Sequence, residues 1–343
     1  MAELTVETVR LEAREPLVAA WGVIGERELL RVRLDFGGDD FGDGEAAPLE
    51  PYDGVSTAAV RAAFDGYAAV LARADPRSTH AELLAACAAE RPLPQALAAI
   101  DLALWDRAGR RTGFPVCQLI AAGAVRSVAV NATIGATDRA GAGEAAAAAA
   151  AAGFRCVKVK VGVGDDSGRL AAVRAAAPDG TAIRVDANGA WSTPEEALAN
   201  LRALAPVGIE LCEEPVHGIA KLRAVRAKSP VPVSMDETGA ERGAPGSGAA
   251  DAICLKISRC GGISGVLRDA RAARAAGTKV YVASNWDGPL GIAAGLHAAA
   301  GLRASGPVAY CGLASLRAFV GYEDVLAASD GEIAVPSGPG LLG

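Results

Sequence analysis

Apolar and polar positions follow two different rhythms along the chain, and the change comes near residue 123. Before it, Leu4–Arg14 and Glu28–Asp35 alternate as paired strands do, joined by the turn-rich stretch Glu15–Arg27. A loop at Gly44–Leu49 follows. Thr57–Ala74, His80–Ala89 and Pro94–Arg111 then have helical composition and period, so residues 1–122 read as an α+β unit. Beyond it, short β-branched runs alternate with Ala-rich stretches. The runs are Ser127–Asn131, Cys156–Val161, Ala182–Asp186, Gly208–Glu213, Val231–Asp236, Ala252–Lys256, Lys279–Ser284 and Pro307–Cys311. Such alternation is the mark of parallel βαβ units, and eight runs fit a closed α/β barrel over residues 123–311 better than an open sheet.

Composition narrows the function classes. The 343 residues are 51% hydrophobic, but no stretch approaches the ~20 uninterrupted apolar residues of a membrane span. A net charge of −6 without a basic cluster gives no footprint for nucleic acid or an anionic membrane. The first residues carry acids where a secretory leader would be basic, which predicts a cytoplasmic protein. Seven cysteines without a C-x-x-C pair read as reduced, mostly buried thiols. Gly162–Gly164 supplies only the first half of a G-x-G-x-x-G loop, too little for a nucleotide site.

Ionisable residues recur where the predicted strands end. Lys158 and Lys160 lie on the second run, Asp186 and Asn188 close the third, and Glu213, Asp236 and Lys256 close the next three. Parallel barrels gather their chemistry at the C-terminal ends of the strands, so these side chains converge on one pocket. Alone, K-x-K is a solvated strand face and Glu213-Glu214-Pro215 a turn; ionisable residues on five successive runs call for another reading. Three neighbouring buried carboxylates repel unless a cation joins them, and an all-oxygen set suits Mg²⁺, with Mn²⁺ as a substitute. Zinc is disfavoured, because none of His80, His217 and His297 ends a strand. Lys158 and Lys160 point to the same side, and a second ammonium beside the metal would lower a lysine's pKa enough for Lys160 to serve as a base.

These motifs resemble the enolase superfamily, in the branch of muconate-lactonising enzyme, dipeptide epimerases and o-succinylbenzoate synthase. The similarity runs through Gly44-Glu45-Ala46-Ala47-Pro48-Leu49, Lys158-Val159-Lys160, Val185-Asp186-Ala187-Asn188, Cys212-Glu213-Glu214-Pro215, Ser234-Met235-Asp236-Glu237 and Leu255-Lys256 before Gly261-Gly262. It implies a TIM-type (β/α)7β barrel with an N-terminal α+β capping domain, and residues 312–343 packing back on the cap. It makes Asp186, Glu213 and Asp236 the Mg²⁺ ligands, with Asn188, Glu237 and Asp287 in the shell around them. Lys160 and Lys256 would flank the substrate, Lys160 as base and Lys256 stabilising an enediolate, with Lys158 tuning Lys160. The segments Leu17–Gly25 and Pro48–Tyr52 would close the pocket.

Within the branch, dipeptide epimerases carry an Asp-x-Asp at the eighth strand to hold the substrate ammonium. Here that place reads Tyr310-Cys311-Gly312-Leu313-Ala314-Ser315, without an acid. Cys-Gly-Leu, with Val130-Asn131-Ala132-Thr133 on the first strand, is similar to o-succinylbenzoate synthases of the actinobacterial type. The implied reaction is dehydration of a small carboxylate, with muconate cycloisomerase or an N-acyl amino acid racemase as alternatives. Asn131, Ser284, Asn285, Trp286, Cys311, Gly312 and Leu313 are the expected substrate contacts. The sequence leaves a homo-oligomer open.

Overall fold

Strands β1 (Glu3–Ala19) and β2 (Gly22–Asp35) run further than their alternating cores predict. They pair from Glu3↔Asp35 to Glu12↔Glu26, break register, and pair again from Leu17↔Ile24 to Ala19↔Gly22. Pro16 falls inside the break, where a missing N–H costs no ladder bond. The stretch Glu15–Arg27 is therefore mostly hairpin, not turn. The computed structural model describes residues 2–19, 22–75 and 77–343. Ala20 and Trp21, within the segment expected to close the pocket, lie outside the described residues.

The predicted loop at Gly44–Leu49 begins as a third strand, β3 (Phe41–Ala46), antiparallel to β2. Its Gly and Ala residues have poor strand propensity, but they let backbone approach backbone: a Cβ at Gly44 would lie 2.0 Å from the Ala99 carbonyl oxygen. Helices α1 (Glu50–Asp53), α2 (Thr57–Arg73), α3 (His80–Glu90), α4 (Pro94–Thr112) and α5 (Val116–Ile120) follow. A capping box between Thr79 and Glu82 starts α3. Leu30, Val32 and Leu34 bury themselves against Phe64, Tyr67, Leu71 and Ile100, giving this domain its own core.

The barrel opens with a divided strand. β4 (Ser127–Ala129) pairs outside the barrel, and β5 (Ala132–Ile134) is its first member, so the predicted run Ser127–Asn131 is corrected. Then come α6 (Arg139–Ala151), β6 (Cys156–Lys160), α7 (Asp166–Ala176), β7 (Ala182–Asp186), α8 (Pro194–Leu204), β8 (Ile209–Glu213), α9 (Ile219–Arg226) and β9 (Val233–Met235). Two 3₁₀ turns replace a helix before β10 (Ala252–Lys256), which leads into α10 (Ile257–Cys260), α11 (Ile263–Ala275), β11 (Lys279–Ala283) and α12 (Pro289–Ala304). Strands β5 to β11 lie side by side in chain order, and they pair in parallel. Residues 307–312 close the ring irregularly, bridging Val308 to Val280, Gly312 to Ala283 and Cys311 to Val130, all parallel. The architecture is a TIM-like barrel with a capping domain.

The last residues touch both domains. Phe319 packs with Leu11, Leu29 and Ala47 of the cap, while β12 (Ala328–Ser329) and β13 (Glu332–Ala334) form a small sheet with β4. No helix among the described residues is long and apolar enough to cross a membrane.

Candidate active site

Register brings the strand ends level. Lys160 stands opposite Asp186, Asp186 opposite Glu213, and Glu213 opposite Ser234, two residues before Asp236. Asp186, Glu213 and Asp236 are each 1% exposed. The apolar parts of these strands, such as Val157, Val159, Ile183 and Val185, are sunk in the main core, which leaves the strand ends to carry the polar groups. Backbone strain collects here as well: Asn188, Glu214 and Trp286 have φ of 45°, 40° and 57°, a conformation that side chains other than Gly and Asn resist.

The acids are bound into a network of cations. Lys158 Nζ donates to Asp186 Oδ2 at 3.0 Å and to Glu213 Oε1 at 3.1 Å, while Lys160 Nζ donates to Asp186 Oδ2 at 2.7 Å and Asn188 Oδ1 at 2.6 Å. On the far side, Lys256 Nζ donates to Asp236 Oδ2 at 2.9 Å and Arg259 Nη2 to Asp236 Oδ1 at 2.8 Å. Burial opposes the charges of Asp186, Glu213, Asp236, Lys158, Lys256 and Arg259. At Asp186 the ammoniums of Lys158 and Lys160 win, and at Asp236 Lys256 and Arg259 do, so both carboxyls sit well below the usual range. At Glu213 burial prevails, helped by Asp186 and Asp236, and the pKa rises. Burial also disfavours the charge on Lys158, yet Asp186 and Glu213 outweigh it and hold the ammonium above its ordinary value.

This donor set fits a hard divalent cation. Glu213, Asp236 and Cys254 offer atoms within 4.8 Å of one another, and Lys158 links Asp186 to Glu213 through two hydrogen bonds. Burial holds the Cys254 thiol protonated, leaving carboxylate oxygens as the available ligands. Asp186 and Asp236 line a cavity of about 810 Å³, while Glu213 lies a layer deeper behind Lys158 and accepts from Tyr281 Oη at 2.6 Å.

Glu214 is a strut. Its Oε2 accepts from Asp236 N at 2.6 Å and its Oε1 from Thr238 N at 3.0 Å and faces His217 Nδ1 at 3.0 Å, fixing the end of β9. Asn188 Nδ2 donates to Glu237 Oε1 at 3.0 Å, which places Asn188 and Glu237 one step behind the acids. Burial, then Asp236, pushes the Glu237 carboxyl up to about 8.

Asn131, Ser284, Asn285, Trp286 and Gly312 line the same cavity as Lys158, Lys160 and Lys256. Three expectations need correction. Cys311 and Leu313 are 0% and 1% exposed and face the core, because alternation along the eighth strand turns Gly312 and Ala314 to the cavity instead. Asp287 accepts from Asn285 N at 3.3 Å and lies among Arg27 and Glu45 at the border with the cap, away from the shell around the three acids. Arg259 and Tyr281 have no place in the sequence expectations, and Tyr52 enters them only as the end of a segment closing the pocket. Tyr52 of the cap meets Lys256 Nζ at 2.7 Å and Asp236 Oδ2 at 2.8 Å. Arg259, one turn after Lys256, carries no pattern of its own; Tyr281, a polar-tipped aromatic in an aliphatic strand, was a readable signal.

Comparison with known proteins agrees with this arrangement. Residues 1–121 match the mandelate racemase / muconate lactonizing enzyme N-terminal domain, and residues 141–342 the enolase C-terminal domain-like family. A hydrophobic dipeptide epimerase of Roseobacter litoralis is 32% identical over 297 residues, 84% of this chain and 84% of that protein. An o-succinylbenzoate synthase of Mycobacterium bovis is 38% identical over 184 residues, 51% of this chain and 54% of the synthase. The N-succinyl Arg/Lys racemase of Bacillus cereus superposes with a TM-score of 0.91 at 25% identity, covering 99% of this chain and 94% of the racemase. With both domains matched and the strand-end acids and lysines in register, the chain belongs to the enolase superfamily, in its muconate-lactonizing branch.

Proposed function

We propose that this chain is a lyase of the o-succinylbenzoate synthase type, acting on a cyclohexadiene carboxylate that bears a succinyl arm. Asp186, Glu213 and Asp236 would hold Mg²⁺, or Mn²⁺ in its place. When bound, the ion supplies the positive charge that stabilises an enediolate of the substrate carboxylate. Lys160, as the amine, takes the α-proton. The ring carbon's electrons then expel the β-hydroxyl, which leaves as water with the proton returned by Lys160, and the ring becomes aromatic. Lys256, held by Asp236 and Tyr52, presents its ammonium from the opposite wall. Tyr52 and Trp286 narrow the cavity and exclude water around these groups.

The observation that carries this reading is the charge at the cavity's outer end. Residues 310–315 offer no carboxylate to a substrate ammonium, whereas Arg14 and Arg317 both line the mouth. Arg14 lies 3.8 Å from Glu323, an exposed pair of little strength, and Glu15 is also at the mouth. Two guanidiniums there suit a second, distal carboxylate such as that of a succinyl group. The likeness to the mycobacterial synthase supports the same choice.

One further reading has an observation behind it. Lysines on opposite walls, Lys160 and Lys256, also suit removal of a proton from one face and its return to the other, as in a racemase of N-succinyl amino acids. Purified protein with Mg²⁺ decides between them. Appearance of the aromatic o-succinylbenzoate chromophore supports the lyase; absence of that product, with solvent deuterium entering N-succinyl amino acids, replaces it with the racemase. Epimerisation of free dipeptides would overturn both.

A further inference from the structure

Cap and barrel are keyed together by a buried charged group that the chemistry above does not use. Arg27 on β2 is 4% exposed, and its guanidinium donates to four carbonyls. Two belong to the cap, Pro48 O at 2.8 Å and Ala47 O at 3.3 Å; two belong to the barrel, Asn285 O at 3.3 Å and Trp286 O at 3.4 Å. The Asn285 side chain adds a bond to Ala47 O at 3.4 Å. Residues 47–48 lead directly to Tyr52, and both Tyr52 and Trp286 line the cavity. The carbonyl that Arg27 Nε holds belongs to the residue at φ 57°, a conformation that persists only where its surroundings over-determine it.

Two acids complete the group. Helix α12 has no side-chain cap of its own; Glu45 of β3 supplies one across the domain border, accepting from Gly288 N at 2.7 Å. A Cβ at Gly288 would lie 2.4 Å from Glu45 Oε2, and one at Gly291 2.8 Å from Glu45 Oε1, so the two glycines leave the space this carboxyl fills. Asp287 is 1% exposed, and its Oδ1 has no hydrogen-bond partner among the described residues. Burial, then the charge of Asp287, pushes Glu45 up to about 8, and burial pushes Asp287 up to about 6. Both shifts favour the protonated form, more so at Glu45, which leaves Asp287 as the carboxylate that acts most on Arg27, with Asp53 and Lys256 contributing from further off.

We propose that Arg27, backed by Asp287 and Glu45, is an interdomain latch: a positioning residue that fixes the Asn285–Trp286 wall and the Ala47–Tyr52 segment as a single substrate-binding unit. Arginine is required because its planar fork reaches acceptors on both domains at once, which a lysine's point ammonium does not. The latch predicts that loosening either side loosens the other.

Hydrogen–deuterium exchange of the full chain tests this without reference to the reaction. In R27K, residues 47–53 and 285–291 exchange together about tenfold faster, while β7 and β8 stay unchanged. E45Q, which keeps the shape of a neutral carboxyl, leaves both segments within about twofold of wild type. Acceleration in one segment alone, or in neither, overturns the proposal; so does an E45Q as disruptive as R27K. R27M repeats the measurement with no charge, and R27K decides should R27M fail to fold. A binding readout separates positioning from plain stability. The affinity of o-succinylbenzoate with Mg²⁺, measured by calorimetry, falls about tenfold in R27K at a temperature where that variant is fully folded, and an unchanged affinity overturns the positioning role. Failure of o-succinylbenzoate to bind wild type counts against the proposed reaction, and the exchange data alone then judge the latch.

Discussion

Tyr52 and Lys256 come from different domains, 204 positions apart, yet the phenol oxygen lies 2.7 Å from the ammonium. The same oxygen donates to Asp236 Oδ2 at 2.8 Å and receives a bond from Arg259, so one hydroxyl ties a proposed metal ligand to a proposed charge stabiliser. Burial keeps the phenol neutral by raising its pKa well above the ordinary value. Y52F removes the hydroxyl and keeps the ring. Hydrogen bonds to charged groups contribute about 1.5–3 kcal/mol, so kcat is expected to fall about 10- to 100-fold with KM changed far less. Steady-state kinetics check this, and an equal rise in KM would reassign Tyr52 to simple binding.

The proposed ligand set makes a prediction that needs no substrate. A cation that binds the folded chain and not the unfolded one raises the melting temperature by mass action. Mg²⁺ at millimolar concentration should therefore raise Tm in wild type, and E213Q and D236N should abolish the rise while remaining folded without metal. E214Q is the informative contrast. Its carboxylate fixes Asp236 N and Thr238 N, so that variant should lower Tm with no metal present and keep a Mg²⁺ response, weakened. A full Mg²⁺ response in E213Q would remove Glu213 from the site.

Much of this was legible in the chain. Lys158, Lys160, Asp186, Glu213, Asp236 and Lys256 could be placed because a charge that ends an apolar strand is costly and needs a reason. The eighth strand shows the limit: its pairing is only a few bridges, so nothing in the pattern fixed which residues alternate inward, and Cys311 and Leu313 were assigned to the wrong face. Asp287 failed differently. The family resemblance implied a place in the metal shell, but the approach of β3 from a distant part of the chain sets it beside Glu45, and such a long-range contact leaves no periodic trace. Gly44–Ala46 hid a strand for the same reason, its small residues being dictated by α4.

The buried acids at the domain border give a pH dependence of stability with a definite sign. Glu45 ionises near 4.5 when exposed and near about 8 in the folded chain, so between those values the native state holds a proton that the unfolded state has lost. Its contribution is complete below the lower value and disappears as pH rises through the upper one; Asp287, moved from 3.8 to about 6, acts in the same direction at lower pH. Facing them are Arg27 from β2 and the N–H groups of Gly288 and Gly291, with Asp53 and Lys256 further off. Wild-type Tm should fall from about pH 5 to pH 8, and E45Q should flatten the upper part of that fall. Parallel curves for the two proteins would show that Glu45 does not titrate in this window.

Arg317 is placed to meet the far end of the substrate proposed above. It lines the cavity mouth, and among the described residues it makes no hydrogen bond or ion pair with a carboxylate. A distal carboxylate placed there would gain a partly exposed, charge-assisted contact; such contacts are roughly twice as strong as neutral ones but are weakened by solvent. R317Q should therefore raise KM for a succinyl-bearing substrate about fivefold to tenfold, with kcat little changed, because the contact is equal in ground and transition states. The loss should shrink at high salt, where wild type already loses part of the attraction. Replacing the distal carboxylate of the substrate by its amide should cost wild type the same factor and R317Q nothing further. If the acid and the amide bind wild type equally, the mouth does not read charge, and the preference for a dicarboxylate loses its main support.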